Sequence, residues 1–167
     1  MKWEFRFLYW LQTRWRTPRR DRFWYTVTWF GYAASLPLVV SLSLFLRPSS
    51  RMTGLASLTA IGCTELFFNH ILKRIVCRDR PFVTYPELIA IGIKPKDKSF
   101  PSGHTSSAFA CALILAFSFP PWVGILALSA AGMIAFSRVY LAVHYPTDVI
   151  GGVLSAALVD FAVVSLF

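Results

Sequence analysis

The chain has 167 residues, enough for one domain, and 56% of them are hydrophobic. Its mean hydropathy of +0.55 lies far above a soluble domain's usual balance, so burial in lipid is the economical explanation. The net charge is +9, but seven Lys/Arg fall within residues 1–22 and seven more between Lys73 and Lys98. That clustering argues against a nucleic-acid partner and suits basic segments flanking apolar spans at a membrane surface. Cys63, Cys77 and Cys111 sit in or beside apolar segments, without metal-type spacing or an even disulfide framework, and are expected to be small buried hydrophobes. The opening M-K-W-E-F-R-F places charges where the apolar core of a cleavable leader would stand.

Residues 1–22 form a basic amphipathic segment. At 100° per residue, Trp3, Phe7, Leu8, Trp10, Leu11 and Trp15 share one side and Arg6, Gln12, Thr13 and Arg16 the other, with Glu4 and Arg14 blurring the pattern. Such a helix is too short and too charged to span and suits the headgroup layer. Residues 23–46 carry no charge and are long enough to cross a hydrocarbon core of roughly 30 Å. A second span is expected over 52–76, with Glu65 inside it. Residues 99–137 hold no Lys, Arg, Asp or Glu before Arg138, and Pro120-Pro121 divide them. Spans are therefore expected over 103–119 and 122–143, and a fifth over 146–167, opened by Pro146. The expected fold is an all-α integral membrane protein. It has five transmembrane helices in one bundle (23–167), an active-site loop over 77–102 and an N-terminal interfacial helix.

Three polar blocks interrupt this apolar chain: K-R-I-V-C-R-D-R-P from Lys73, P-S-G-H from Pro101, and S-R-V-Y-L-A-V-H-Y-P-T-D from Ser137. Ionisable groups close to a bilayer are costly and mark functional sites by default. Phosphoryl transfer needs a nucleophile, an acid for the leaving oxygen and positive charge around the equatorial oxygens. Arg80 and Arg138 offer planar forks and Lys73 a compact ammonium. Lys73 and Arg80 are two helical turns apart if the helix persists, while Pro81 steers Arg80 toward an extended conformation. Ser102 suits the N-cap of the third span, Gly103 permits close backbone approach, and the free amides there face an anion. His104 follows, placed for proton transfer. Arg138 and His144 cannot share a helix face, so the fourth helix is expected to end between them. Asp148, four residues beyond His144, can then fix the imidazole tautomer.

Reduced to K-x6-R-P, P-S-G-H and S-R-x5-H-x3-D, the three blocks resemble the signature of the type 2 phosphatidic acid phosphatases, the lipid phosphate phosphatases, at every fixed position. The resemblance implies that His144 attacks phosphorus to give a phosphohistidine, with Asp148 orienting it. His104 protonates the leaving alcohol and then activates water. Lys73, Arg80, Ser102, Gly103 and Arg138 bind the phosphate. The implied substrate is a lipid phosphate monoester or diphosphate: phosphatidylglycerol phosphate, phosphatidate or undecaprenyl diphosphate. A lipid phosphotransferase and a non-catalytic scaffold or transporter are the alternatives. No cofactor and no metal are expected, so activity should survive a chelator.

The odd span count puts the N-terminus and the 73–103 region on one side, opposite Arg47 and Arg51. By the positive-inside rule the site lies on the cytoplasmic face of a bacterial inner membrane. Oligomeric state has no sequence signal. Glu65, Asn69 and Lys73 stand at i, i+4 and i+8, as a buffered lysine or as helix–helix hydrogen bonding. His70 is expected to line the interface, and Asp160 to find an interhelical partner. Phe82, Tyr85, Leu88, Ile89, Ile91 and Ile93 make an apolar stripe that lies on the bilayer or caps the helix ends.

Overall fold

A computed structural model describes residues 2–166 of the chain. Met1, in the expected first segment, and Phe167, the expected end of the fifth span, lie outside the described residues. Helix α1 (Lys2–Trp10) ends in a wide turn, Leu11–Trp15. Helix α2 (Pro18–Phe30) begins with Pro18 in its first turn and Thr17 as N-cap, whose side chain accepts from the Arg20 amide. A short tight turn, Tyr32–Ala34, separates it from α3 (Ser35–Leu46), and Ala34 there has φ +56°. The expected span 23–46 thus starts earlier and is broken, because Ala34 takes a left-handed conformation that no helix continues through.

Helix α4 (Arg51–Cys63) passes into a π-helical stretch, Thr64–Leu72, and then α5 (Lys73–Val76). Cys77, at φ +49°, stops it, so the helix does not persist from Lys73 to Arg80. A single turn, α6 (Pro81–Thr84), and an irregular loop lead to α7 (Gly103–Ser118), α8 (Pro121–Tyr140) and α9 (Pro146–Val164). The double proline separates α7 from α8, and α8 ends between Arg138 and His144, as the spacing required.

Among the described residues, four helical stretches are long and apolar enough to cross a membrane: Pro18–Leu46, Pro48–Thr84, Pro121–Tyr140 and Pro146–Val164. The expected third span is a shorter apolar helix of 16 residues. At about 1.5 Å per residue this is roughly 24 Å, less than the hydrocarbon core. Helix α7 is the hub, packed on α4 and α9 through Ala56, Ala60, Ala110, Cys111, Ile114, Ala156 and Val159, and on α8 through Ala108, Ala112, Ala131 and Ile134. Small side chains let these backbones approach closely, which is how helices associate where lipid removes the hydrophobic drive. Ser41 Oγ lies 2.6 Å from Ser57 Oγ and 3.6 Å from Cys111 Sγ.

Three expectations need correction. Asp160 is buried, yet neither carboxylate oxygen has a partner among the described residues. Cys77 is exposed, lifted out of helical packing by its left-handed backbone. Trp3, Phe7 and Trp10 do not share the buried side of α1; they are exposed, while Glu4, Leu8 and Leu11 face the protein. Leu8 and Leu11 pack with Leu88, Val139 and Tyr145, and Gln12 brackets Ile89, accepting from its N–H at 3.1 Å and donating to its carbonyl at 2.9 Å. Helix α1 therefore lies across the end of the bundle where the 77–102 loop and the Leu141–Tyr145 turn emerge. The 82–93 stripe divides: Leu88 is buried in that cap, and Ile89 and Ile93 are exposed.

Candidate active site

Each polar block arrives at this end on a different element. Lys73 opens α5, Arg80 is extended just before α6, Ser102 precedes α7, Arg138 closes α8, and His144 and Asp148 straddle Pro146 at the start of α9. Lys73 and Arg80 meet through Asp97: its Oδ2 lies 2.6 Å from Lys73 Nζ and its Oδ1 2.7 Å from Arg80 Nη2. Burial would raise the Asp97 carboxyl, but hydrogen bonds and charge from Lys73 and Arg80 outweigh it and hold the group down at about 2. Arg80 is itself buried, and its Nε donates to the Asp97 carbonyl at 2.7 Å.

The same guanidinium reaches the histidine. Arg80 Nη1 lies 3.1 Å from His144 Nε2 and donates to the Val143 carbonyl at 2.8 Å. An arginine can only donate, so Nε2 must carry the lone pair and Nδ1 the proton. Nδ1 faces Asp148, with Oδ2 at 3.4 Å, a separation that still lacks hydrogen-bond alignment. Long catalytic hydrogen bonds of this kind commonly tighten when substrate binds. Burial first, then the charges of Arg80, Arg138 and Lys73, push His144 well below its ordinary range, so the ring is neutral. The Leu141–Tyr145 turn that presents it includes Ala142 at φ +55° and is tied by the Val143 and His144 amides to the Arg138 carbonyl at 3.2 and 3.3 Å.

Asp148 is fixed from three directions. Its Oδ2 accepts from the Tyr145 amide at 2.9 Å, its Oδ1 from Arg78 Nη1 at 2.6 Å, and its carbonyl from the Ser102 amide at 3.0 Å. The last bond joins the P-S-G-H block to α9, and it depends on Gly152, where a Cβ would stand 2.8 Å from the Ser102 carbonyl oxygen. Ser102 is the N-cap of α7, but its side chain makes no cap bond, a correction to the sequence reading. It is fully buried, and its Oγ accepts from Thr105 Oγ1 at 3.0 Å instead.

Arg138 is buried with Nη1 2.5 Å from Thr28 Oγ1, while its Nε has no partner among the described residues. An orphaned, buried guanidinium N–H is a donor held open for an anion. Arg138 and His104 line a cavity of about 190 Å³ with Tyr25, Thr28 and Tyr32. His104 also borders a cavity of about 520 Å³ with Gly103, Asn69, Glu65 and Lys73, whose lining includes the apolar Leu38, Leu58 and Ile61. A Cβ on Gly103 would lie 3.2 Å from Asn69 Nδ2, which donates to Ser106 Oγ at 3.0 Å. Asn69 is thus a helix–helix hydrogen bond, and Lys73 pairs with Asp97 rather than Glu65. His70 borders the same cavity and its Nδ1 lies 3.0 Å from the Glu65 carbonyl.

Sequence reasoning gave no role to Asp97, Arg78 or Glu4. A carboxylate on the apolar side of an amphipathic helix was the available signal for Glu4. For Arg78, it was a third cation inside the first block.

The helical bundle thus gathers a lysine, two arginines and a neutral histidine backed by a carboxylate at one end of an apolar, membrane-type fold, an arrangement able to hold an anion. Residues 53–167 match the PAP2 superfamily model, and the chain belongs to that superfamily. It is 30% identical over 131 residues to an undecaprenyl-diphosphatase of Sulfolobus acidocaldarius, covering 78% of this chain and 62% of the relative. It is 32% identical over 141 residues to phosphatidylglycerophosphatase B of Bacillus subtilis, covering 77% and 65%. A PAP2-type phosphatidylglycerolphosphate phosphatase structure from Bacillus subtilis superposes with TM-score 0.73 at 27% identity over 90% of this chain and 78% of that one. Aquifex aeolicus LpxE shares the fold, with TM-score 0.81 at 23% identity, covering 95% and 93%. The chain thus spans less than two thirds of the first of these curated relatives.

Proposed function

We propose that the chain is a lipid phosphate phosphatase working through a phosphohistidine. The observation that carries this reading is the Arg80–His144 contact of 3.1 Å, which leaves Nε2 unprotonated and aimed at the cations that would hold a phosphate. Nε2 of His144 attacks phosphorus and the bond to the lipid oxygen breaks, with His104 giving that oxygen its proton. His104 then takes a proton from water, whose oxygen attacks phosphorus and breaks the P–N bond. Lys73, Arg80, Arg138, the Ser102 hydroxyl and the amides beginning at Gly103 stabilise the equatorial oxygens. Asp148 keeps the Nδ1 proton of His144 in place. The cavity lined by both Lys73 and His104 and the apolar Leu38 and Leu58 suits a molecule with a charged head and an apolar tail.

The proposed setting is a bacterial inner membrane with five crossings, α7 being the short one, and with α1 in the headgroup layer on the site's side. The substrate is phosphatidylglycerol phosphate, phosphatidate or undecaprenyl diphosphate. Purified protein should release inorganic phosphate from at least one of these three in the presence of EDTA, and His144→Ala should abolish release. Full activity in His144→Ala would rule the mechanism out.

A further inference from the structure

Helix α1 lies outside the residues 53–167 matched by the superfamily model, yet it delivers a carboxylate to the site. Glu4 is 2% exposed on a helix face otherwise buried through Leu8 and Leu11. Removing a carboxylate from water is costly unless it is paired and hydrogen-bonded. Its Oε2 lies 2.7 Å from Arg78 Nη2, and its Oε1 accepts from Thr147 Oγ1 at 2.6 Å and the Thr147 amide at 3.3 Å. Thr147 Oγ1 in turn accepts from Arg78 Nη1 at 2.6 Å, the nitrogen that also donates to Asp148 Oδ1 at 2.6 Å. The guanidinium lies over Tyr145, its Cζ 3.9 Å from the ring centroid. Arg78 is thus held on its face and at both ends, between the carboxylates of Glu4 and Asp148.

We infer that Arg78 and Glu4 are positioning residues for the His144–Asp148 pair, with α1 completing the site. Arg78 fixes one carboxylate oxygen of Asp148 and the Tyr145 amide fixes the other, which leaves Oδ2 facing His144 Nδ1. Glu4 offsets the Arg78 charge and sets its direction. Without Glu4, the guanidinium swings toward solvent and Asp148 gains a free rotamer. This inference rests on His144 being the nucleophile.

The test uses full-length protein in detergent, a short-chain lipid phosphate, and the variants Glu4→Gln, Arg78→Met, the double variant and His144→Ala. Glu4→Gln keeps the shape but removes the charge and turns one of the two acceptor oxygens, which between them take bonds from Arg78 and Thr147, into an NH2 donor. Groups that orient a reacting or ligating side chain typically contribute about 10–100-fold, so kcat should fall about tenfold with KM within about twofold. Thermal unfolding should shift little. Residues acting through one chain of contacts are non-additive, so the double variant should be no slower than Arg78→Met alone. Wild-type kcat in Glu4→Gln beside an inactive His144→Ala overturns the positioning role and leaves the phosphatase reading standing. An additive double variant, or a loss confined to KM, overturns it as well. An active His144→Ala instead overturns the reading beneath it. If Arg78→Met does not fold, Glu4→Gln decides alone.

Discussion

Asp97 is the residue whose charge most constrains how the site must open. Its carboxylate sits between Lys73 and Arg80, so under the proposed mechanism, in which these two cations hold the phosphate, an incoming phosphate has to displace it. With the Asp97 side chain 54% exposed, solvent screens these pairs. Exposed ion pairs contribute about 0.2–1 kcal/mol, and about 1.4 kcal/mol is a factor of ten in affinity. Asp97→Asn should therefore lower KM by up to about fivefold and leave kcat close to wild type in steady-state phosphate release. A rise in KM would mean that Asp97 organises the two cations for phosphate rather than competing with it. Nothing in the sequence singled Asp97 out. It lies 24 residues from Lys73 and 17 from Arg80, in a loop whose path only the folded chain defines.

Among the elements, the contact between α7 and α9 decides whether the second and third blocks meet. Gly152 lets the helices close to the point where the Ser102 amide bonds the Asp148 carbonyl, and an added methyl would also stand 3.0 Å from Thr105 Cβ. Overpacking a fitted contact costs about 1–3 kcal/mol. Gly152→Ala should lower the unfolding temperature by that equivalent and reduce kcat as well, because the strain falls on the segment holding Asp148. A variant unchanged in both would show that the contact yields freely. The limits of α7, α8 and α9 were legible because Pro120, Pro121 and Pro146 cannot sit inside helices, and each stands where a helix begins or ends. The break at Ala34 and the π-helical stretch at Thr64–Leu72 were not legible. Ala34 takes a left-handed backbone that alanine disfavours, and the π-helical stretch is a change of hydrogen-bond register at ordinary helical dihedrals, which residue type does not announce. The ionisable residues among the eight expected site positions stood out for a related reason: charge in an apolar chain is visible before folding, whereas the pairing of those charges is a property of the fold.

For the molecule as a whole, the docking of α1 beside Arg78 and Thr147 puts the basic N-terminal segment and the site at the same end. That end carries the Lys/Arg clusters of residues 1–22 and 73–98, against Arg47 and Arg51 at the other. Such an asymmetry predicts a cytoplasmic site, and the fold supplies its own probe. Cys77 is exposed at the site end, while Cys111 is buried and Cys63 half-buried within apolar helices. A membrane-impermeant maleimide should leave Cys77 unmodified in intact cells and label it after permeabilisation, with Cys77→Ala removing that label. Labelling in intact cells, absent in Cys77→Ala, would place the site outside. The substrate pool would then be the outer leaflet, and the Lys/Arg at this end would reflect the needs of phosphate chemistry more than insertion topology.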